Sequence, residues 1–171
     1  MPGKLKLYLT LGSSPYIYNN HINSWSESKY DLDFSAMKSL AESRVYIATF
    51  SANNLYSTSP LVIDYALGSS SLMYLAGKVR LDIVKNGIVH GLVGWFETQL
   101  SKTISLSTSP LAKKTHWEQS FLPFSQPLKV KKGDHMDLFF SVESSMRNNT
   151  VCFKWNLKND RFQIARGSFI V

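Results

Sequence analysis

The first residues of the chain alternate strictly between hydrophobic and polar or aromatic positions. Over residues 4–11 a leucine occupies every second position, so all four leucines share one side of the segment. A β-strand buries such a period-two face, whereas a helix would spread it around its circumference. Residues 12–32 end the alternation with a Gly-Ser-Ser-Pro turn and continue as a polar stretch with several aromatic residues. The pattern predicts a strand with one buried face, followed by an irregular insertion.

A short helix is predicted at the end of this insertion. Asp33 or Ser35 is a suitable N-terminal cap, and about two turns then lead to Glu42. Four apolar residues lie at helical spacing on one face: Phe34, Met37, Leu40 and Ala41.

From Arg44 onward almost every segment has the composition of a β-strand. Turn signals such as Lys-Asn-Gly at 85–87 and Lys-Gly-Asp at 132–134 separate these segments. The predicted strands are 45–50, 61–67, 72–76, 78–84, 88–100, 103–107, 119–124, 127–130, 136–142, 150–157 and 163–170. Many short antiparallel strands indicate a mainly β fold, an antiparallel barrel or sandwich with the short helical and irregular insertion near its N-terminus. No linker divides the chain, so residues 1–171 are expected to form one domain.

The composition is that of a folded domain with an excess of positive charge. The 171 residues are 44% hydrophobic, and 19 Lys and Arg against 12 Asp and Glu give a net charge of +7. This excess suggests an acidic partner. A nucleic-acid surface needs its basic residues on one face, interleaved with aromatic residues, and here they are dispersed, so no direct nucleic-acid partner is expected. No apolar run approaches the ~20 residues that cross a bilayer, so no membrane partner is expected either.

Cysteine and histidine usage argues against disulfide, metal and hydrolase chemistry. Cys152 is the only cysteine, and the four histidines are too scattered for a zinc pattern, so no metal site is expected. No Gly-x-Ser-x-Gly elbow of a serine hydrolase is present. His90 lies within a predicted strand and is expected to be a satisfied core or edge residue. The charged start of the chain lacks the apolar core of a signal peptide, which favours a cytoplasmic or nuclear protein.

The most informative segment is a loop that precedes one of the predicted strands. It contains Thr115, His116 and Trp117, which place a titratable hydrogen-bonding ring beside a large flat aromatic face. Such a pair can orient a carboxylate on one side and contact a planar cation on the other. Ser-Thr-Ser-Pro at 107–110 lies before these residues and Gln119 after them. The whole pattern resembles the Thr-His-Trp loop of the protein arginine N-methyltransferases.

The rest of the chain resembles the C-terminal half of that family only. Residues 2–9 resemble the segment by which the family's chain leaves its cofactor domain and enters a β-barrel. Residues 30–35 (Tyr-Asp-Leu-Asp-Phe-Ser) resemble the signature that follows the family's dimerisation arm. Residues 87–96 resemble the strand ahead of the Thr-His-Trp loop, and they are nearest to the coactivator-associated branch of the type I-like enzymes. The resemblance implies a barrel with its dimerisation arm at residues 12–42.

The resemblance also implies roles for single side chains. His116 is expected to be catalytic, because in the family it bonds a carboxylate of the cofactor domain and helps to move a proton from the substrate arginine. Trp117 is expected to bind substrate by stacking on the guanidinium, with Thr115 supporting the loop. The candidate contacts between the arm and a second subunit are Tyr16, Tyr18 and Trp25. The alternatives from residue type alone are a loop histidine bonded to backbone, a tryptophan that plugs the barrel, and aromatic residues that cover the chain's own barrel.

The resemblance does not extend to the family's cofactor domain. That domain holds S-adenosylmethionine on a Gly-x-Gly loop, and none of the nine glycines here has this spacing. It also carries two glutamates that hold the guanidinium, and no glutamate pair here has such surroundings. We therefore expect this chain to bind no cofactor and to be inactive alone, with S-adenosylmethionine the cofactor of the full enzyme. The expected partners are arginine-containing protein substrates, a missing or separate cofactor domain, and a second subunit in a homo- or heterodimer.

Two other functions are compatible with the sequence. The chain could be a non-catalytic regulatory protein that forms a heterodimer with an intact methyltransferase. The chain could also be an unrelated β-sandwich that binds carbohydrate or nucleic acid through exposed aromatic and lysine side chains. This function is less consistent with the motifs.

Overall fold

Two antiparallel sheets that pack face to face contain most of the chain, and they confirm the predicted mainly β fold. The computed structural model describes residues 3–26, 31–66, 74–145, 150–159 and 163–170. The strands are β1 (Lys4–Gly12), β2 (Tyr46–Ala48), β3 (Leu61–Ala66), β4 (Tyr74–Asp82), β5 (Gly87–Gln99), β6 (Ser105–Ser107), β7 (Gln119–Val130), β8 (His135–Ser145), β9 (Thr150–Lys158) and β10 (Gln163–Ile170). The large sheet has the order β2-β7-β5-β1-β3, with β6 also paired to β5, and the small sheet has the order β10-β9-β8-β4.

The main core lies between the two sheets and follows the alternation seen in the sequence. Leu9 and Leu11 of β1 are at most 1% exposed, and they share one buried cluster with Leu138 of β8 and Leu157 of β9. Full burial of such a side chain stabilises the fold by about 1.5–3 kcal/mol relative to leaving it in water. The leucine face of β1 is therefore one wall of the core.

The insertion at residues 12–42 covers the opposite face of the large sheet. It consists of α1 (Pro15–Ile17), a π-helical segment (Tyr18–Ile22), a 3₁₀ segment (Asn23–Ser26) and α2 (Ser35–Glu42). Ile17, Ile22 and Ala41 of this insertion pack with Val93 and Phe121 in a second buried cluster. Because both faces of the large sheet are covered, β5 is buried without interruption over residues 89–95 instead of at every second residue.

Helix α2 forms where the sequence predicts it, but its apolar face is only partly buried. The N-cap residue is Phe34, not Asp33 or Ser35 as predicted, although the Asp33 Oδ1 atom accepts the Ser35 N–H at 2.8 Å beside the start of the helix. Ala41 is buried against the large sheet, whereas Met37 and Leu40 are 41% and 57% exposed. The insertion thus leaves part of this apolar face uncovered.

Two pairs of predicted strands are single strands in the structure. β4 runs without a break through Gly77, which lies between the predicted strands 72–76 and 78–84. Residues 72 and 73 lie outside the described part of the chain. A side chain at Gly77 would place a Cβ 2.0 Å from the Val62 carbonyl oxygen, so glycine here allows β3 to approach. β7 similarly joins the predictions 119–124 and 127–130. Its pairing with β5 shifts register after Val89, which is a bulge that keeps the strand continuous.

Strands β2 and β6 are shorter than predicted. The predicted strand 45–50 pairs only over Tyr46–Ala48, because the Phe50 N–H donates to the Gln119 side chain at 2.8 Å instead of to a neighbouring strand. The predicted strand 103–107 pairs only over residues 105–107. The Ile104 carbonyl accepts the Leu100 N–H at 2.9 Å, which closes the preceding turn.

The turn predicted at residues 132–134 joins β7 to β8 and is confirmed. Gly133 has a φ of 93°, in the left-handed region that favours glycine, and the Asp134 N–H donates to the Lys131 carbonyl at 3.1 Å. Within the described ranges, no helix has both the length and the apolar character needed to cross a membrane.

Candidate functional site

The loop between β6 and β7 starts from an anchored, buried threonine. The Thr108 N–H donates to the Phe96 carbonyl at 3.0 Å, and the Thr108 Oγ1 atom accepts the Phe96 N–H at 3.1 Å. Thr108 is only 2% exposed. These bonds extend the pairing of β6 with β5 by one residue beyond the end of β6 at Ser107. The loop therefore leaves the large sheet at Thr108.

The end of the loop is held by the buried amide of Gln119. Its Nε2 atom donates to the Thr108 carbonyl at 2.8 Å, and its Oε1 atom accepts the Phe50 N–H at 2.8 Å. One side chain therefore connects the start of the loop, its end and the segment after β2. We call this arrangement of Thr108, Gln119 and Phe50 the loop clamp.

A local backbone constraint shapes the tip of the loop. Glu118 has a φ of 49°, which is uncommon for a residue with a side chain and indicates that surrounding contacts impose it. Its Oε1 atom accepts a hydrogen bond from the Thr49 hydroxyl, and its N–H donates to the Thr115 carbonyl at 3.4 Å. The residues between Thr115 and Glu118 consequently form a tight turn.

His116 and Trp117 occupy this turn and face the solvent. The Trp117 side chain is 56% exposed, and its ring centroid lies 5.7 Å from that of Phe96 at an interplanar angle of 38°. His116 is also exposed and forms no hydrogen bond with another described residue. The imidazole and the indole are therefore available to a molecule that approaches this end of the large sheet.

Thr115 contributes a hydroxyl group that lacks a partner. Its Oγ1 atom is buried and makes no hydrogen bond to any residue that the structure describes. An unsatisfied buried hydroxyl costs about 1–3 kcal/mol. The loop that displays His116 and Trp117 thus has hydrogen-bonding capacity that the described residues leave unused.

Exposed apolar side chains occur in this loop and on the turn between β5 and β6. Leu100 and Ile104, on that turn, are 62% and 58% exposed, and Leu111 in the loop is 70% exposed. We refer to these three residues and Trp117 together as the loop-end surface.

A polar network lies behind the loop-end surface. The Glu97 carboxylate accepts the Tyr8 hydroxyl at 3.1 Å and the Ser107 hydroxyl at 3.3 Å. Burial, followed by the hydrogen bond to Glu97, raises the pKa of Tyr8 above its ordinary value. Tyr8 therefore stays neutral as a donor, and the network fixes the end of β5 against β1 and β6.

The three aromatic residues predicted for the arm have different positions. Tyr16 is 69% exposed. Trp25 is partly buried, and its Nε1 atom donates to the His21 carbonyl at 3.0 Å. Tyr18 is only 7% exposed, and its hydroxyl donates to the Ser125 carbonyl at 3.1 Å. Tyr18 therefore covers the chain's own barrel, which is the alternative to a contact with a second subunit. Of these three residues, only Tyr16 and Trp25 have surface available for a second subunit.

His90 is a buried residue at the base of the arm. Its Nδ1 atom lies 3.1 Å from the Ser13 Oγ atom, and its ring centroid is 5.5 Å from that of Tyr18. Burial lowers the pKa of His90 below its ordinary value, which keeps the ring neutral. The expectation that His90 is a satisfied core residue is confirmed. Its link to the arm could not be read from the sequence, because no local signal connects residues 13 and 90.

The features that would hold a nucleotide-type cofactor or a metal ion are not found among the described residues. Rossmann-like domains bind such cofactors at a glycine-rich loop before a helix, and no Gly-x-Gly spacing occurs in the sequence. Helix α2 follows Asp33 and Phe34 instead. Across the described ranges, no group of three His, Cys, Asp or Glu side chains is placed to hold a metal ion.

Comparison with known proteins identifies the family and the fold. The family model of the arginine methyltransferase oligomerization subdomain matches residues 6–160. The chain belongs to this family. Protein arginine N-methyltransferase 1.1 of Arabidopsis thaliana is 27% identical to this oligomerization subdomain over 153 residues, which are 86% of the chain and 39% of that protein. Protein arginine N-methyltransferase 2 of Mus musculus is 27% identical over 168 residues, 88% of the chain and 37% of that protein. The oligomerization subdomain thus spans less than half the length of these relatives.

Solved structures share the same fold over nearly the whole chain. The Trypanosoma brucei PRMT1 enzyme–prozyme heterotetrameric complex with AdoHcy contains a chain that matches with a TM-score of 0.84 at 16% identity, covering 98% of this chain and 56% of that one. Protein arginine methyltransferase 10 of Arabidopsis thaliana matches with a TM-score of 0.74 at 18% identity, covering 99% and 60%. The expected C-terminal barrel of the arginine methyltransferases is confirmed. Since the relatives are methyltransferases, a separate regulatory protein or an unrelated sandwich is not favoured.

Proposed function

We propose that this oligomerization subdomain forms one wall of the cleft in which a protein arginine N-methyltransferase holds its substrate arginine. The observation that carries the proposal is the construction of the Thr-His-Trp loop. The loop clamp, with Thr108 and Gln119 buried, fixes both ends of the loop, while His116 and Trp117 remain exposed at its tip. Rigid support below exposed functional groups is the arrangement that a preorganised binding site needs.

His116 and Trp117 have separate roles in this proposal. The His116 imidazole bonds a carboxylate of the cofactor domain and assists removal of the proton from the substrate guanidinium, for which its near-neutral intrinsic pKa range is suitable. Trp117 stacks on the guanidinium, which contributes about 0.5–2 kcal/mol. Thr115 supports the loop, and its free hydroxyl gains a partner when the cofactor domain docks.

The loop-end surface is the proposed contact with the cofactor domain. Leu111, in the same loop as Trp117, and Leu100 and Ile104, on the turn between β5 and β6, supply exposed apolar area for this contact. Because no residues of this chain fit S-adenosylmethionine, the methyl donor belongs to a cofactor domain provided by another part of the polypeptide or by another chain. Alone, the oligomerization subdomain is not catalytic, and arginine-containing proteins are its substrates only in the completed enzyme.

The insertion is the proposed dimerisation arm, in a homo- or heterodimer. Tyr16 and Leu40 are 69% and 57% exposed on it, and Met37 extends the apolar strip of α2. Aromatic and methionine side chains are enriched where protein interfaces bury surface. Trp25 borders a 180 Å³ cavity beside Met37 and Leu40, which offers a pocket to an apolar side chain of the second subunit.

Two finer assignments belong to the same proposal. Within the family, the Val-His-Gly at 89–91 and the Trp-Phe at 95–96 support a place near the coactivator-associated branch.

A cytoplasmic or nuclear location agrees with the single cysteine, and microscopy of a fluorescent fusion in the source cells tests it.

Reconstitution tests the wall function directly. The 171-residue chain is mixed with the separately produced cofactor domain of the Arabidopsis relative, and association is measured by calorimetry, followed by methyl transfer to an arginine-rich peptide. We expect association with the unaltered chain, weaker association with Trp117→Ala, and loss of transfer with His116→Ala. Lys129→Ala, on the large sheet, is the matched control. Tight binding of S-adenosylmethionine to the chain alone, or unchanged association with Trp117→Ala, would contradict the proposal.

A further inference from the structure

The outer face of the small sheet gathers basic residues that are distant in sequence. Residues directly opposite in the ladder share a face, and Lys154 lies opposite both Ser141 and Ser168. Arg166 lies opposite Asn156, one step along the same face. Lys154 and Arg166 are therefore diagonal neighbours, with an expected separation of about 7 Å between their Cβ atoms.

These residues surround a depression on that face. A cavity of 640 Å³ is lined by Tyr74, Phe139, Ser141, Lys154, Asn156 and Arg166. Its floor carries the short side chains of Ser141 and Ser168, so that a bound chain can approach the sheet closely. Tyr74 and Phe139, 59% and 41% exposed, supply aromatic surface on it.

The charges on this face are mixed, with an excess of cations. Five basic and three acidic residues point outward: Lys78, Arg80, Lys154, Lys158 and Arg166 against Asp82, Asp137 and Glu143. The ion pairs are exposed and so contribute little, as for Lys154 with Glu143 at 3.4 Å. Arg166 forms no ion pair with a described residue, so its charge is available to a ligand.

Asn156 lines the depression beside Arg166. Its Nδ2 atom donates weakly to the Gln163 side chain at 3.4 Å, whereas its Oδ1 atom is buried and so lies out of reach of a ligand. The polar contacts of a ligand on this face are therefore assigned to Lys154 and Arg166.

The mixed charge favours a peptide over a nucleic acid. A single-stranded nucleic acid carries a phosphate at every nucleotide, whereas this face alternates its cations with the carboxylates of Asp137 and Glu143 and so suits a ligand with a few spaced charges. An extended peptide presents alternate side chains to the sheet at a spacing of about 7 Å, which matches Lys154 and Arg166. An apolar side chain two positions further along meets Phe139 or Tyr74.

We propose that the outer face of the small sheet binds an extended acidic peptide segment of a partner protein, with two carboxylates at alternate positions followed by an apolar residue. Lys154 and Arg166 bind the carboxylates, and the exposed aromatic rings contact the apolar residue. This surface belongs to the small sheet, whereas the Thr-His-Trp loop and the arm belong to the large sheet. The proposal therefore stands apart from the proposed function of the loop.

Fluorescence polarisation tests this with a labelled peptide that places Glu, Glu and Leu at alternate positions separated by serines. We expect saturable binding to the 171-residue chain, and about fivefold weaker binding to Arg166→Ala, the effect of losing one exposed charge pair. Phe139→Ser weakens binding as well. Lys129→Ala removes the same charge from the large sheet and leaves binding unchanged. Circular dichroism melts verify that each variant is folded.

Three results would overturn the proposal. The first is equal binding of the peptide in which both glutamates are replaced by glutamine. The second is equal loss of affinity in Arg166→Ala and Lys129→Ala, which would mean attraction by overall charge. The third is tighter, Arg166-dependent binding of an eight-nucleotide oligothymidylate, which would assign the face to nucleic acid. Because the readout needs no cofactor domain, failure here leaves the proposed function of the loop untouched.

Discussion

Removing the amide of Gln119 should destabilise the domain and release the Thr-His-Trp loop. Gln119→Leu keeps the side-chain volume but deletes both hydrogen bonds of the loop clamp, leaving the buried Phe50 N–H and the buried Thr108 carbonyl without partners. Each unsatisfied group costs about 1–3 kcal/mol, so together they should lower the free energy of unfolding by roughly 2–6 kcal/mol. For a domain of this size, that corresponds to a fall in Tm of roughly 4–24 °C.

The assay is thermal and urea unfolding followed by circular dichroism. Gln126→Leu is the matched control, because Gln126 lies on the same strand but is exposed. Gln119→Glu separates the two bonds, since it keeps the acceptor for Phe50 but turns a second acceptor toward the Thr108 carbonyl. Facing that carbonyl in a buried site, the new carboxyl has a folded pKa above its unfolded value, so this variant regains stability as the pH falls.

The refuting result is specific. If Gln119→Leu and Gln126→Leu have the same Tm within about 1 °C, the amide does not bridge the loop ends, since two unsatisfied buried groups cost more than that. The support for His116 and Trp117 would then have to come from elsewhere in the loop, and the preorganisation argument would fail.

Two further substitutions test the arm and the contact between the sheets. Because burial lowers the folded pKa of His90, its contribution to stability is complete above about pH 6.5 and is lost as the pH falls through the unfolded pKa toward the folded one. His90→Asn should therefore show a smaller difference in urea midpoint between pH 7.5 and 5.5 than the unaltered protein, and an equal difference would contradict this placement. Gly77→Ala forces a Cβ to 2.0 Å from the Val62 carbonyl oxygen and should cost about 1–3 kcal/mol or more in urea unfolding. In Gly94→Ala the new Cβ lies 2.9 Å from the flexible end of the Leu9 side chain, so this variant should lose less free energy of unfolding than Gly77→Ala. A larger loss in Gly94→Ala than in Gly77→Ala would refute the close approach of β3 to Gly77.

The arrangement of the insertion explains why the arm aromatics could not be separated by sequence. Tyr16 and Tyr18 are two residues apart in a helical segment, yet Tyr16 is 69% exposed and Tyr18 only 7%. Residues two apart on a helix point in different directions, so a single helical turn can present one ring to solvent and the other to the sheet. Which of them faces the sheet depends on the position of β5 and β7, which are far along the chain.

The sequence by itself determined the features that depend on local chemistry. The strict alternation of β1, the Asp33 hydrogen bond beside the start of α2, the Lys-Gly-Asp turn and the Thr-His-Trp motif are each set within a few residues, because strand pleating, side-chain bonds to nearby backbone and turn conformation are local preferences. Even the mainly β class follows from such patterns repeated along the chain.

Only the tertiary structure decided which residues meet. The joining of four predicted strands into β4 and β7, the clamp between Gln119 and Phe50, and the gathering of Lys154 and Arg166 on one face all depend on pairings between distant segments. Strand alternation assigns a residue to one of two faces, but it does not specify the partner strand or what covers each face. That choice is made by burial of the whole sheet, which leaves the His116 and Trp117 side chains exposed above a buried support.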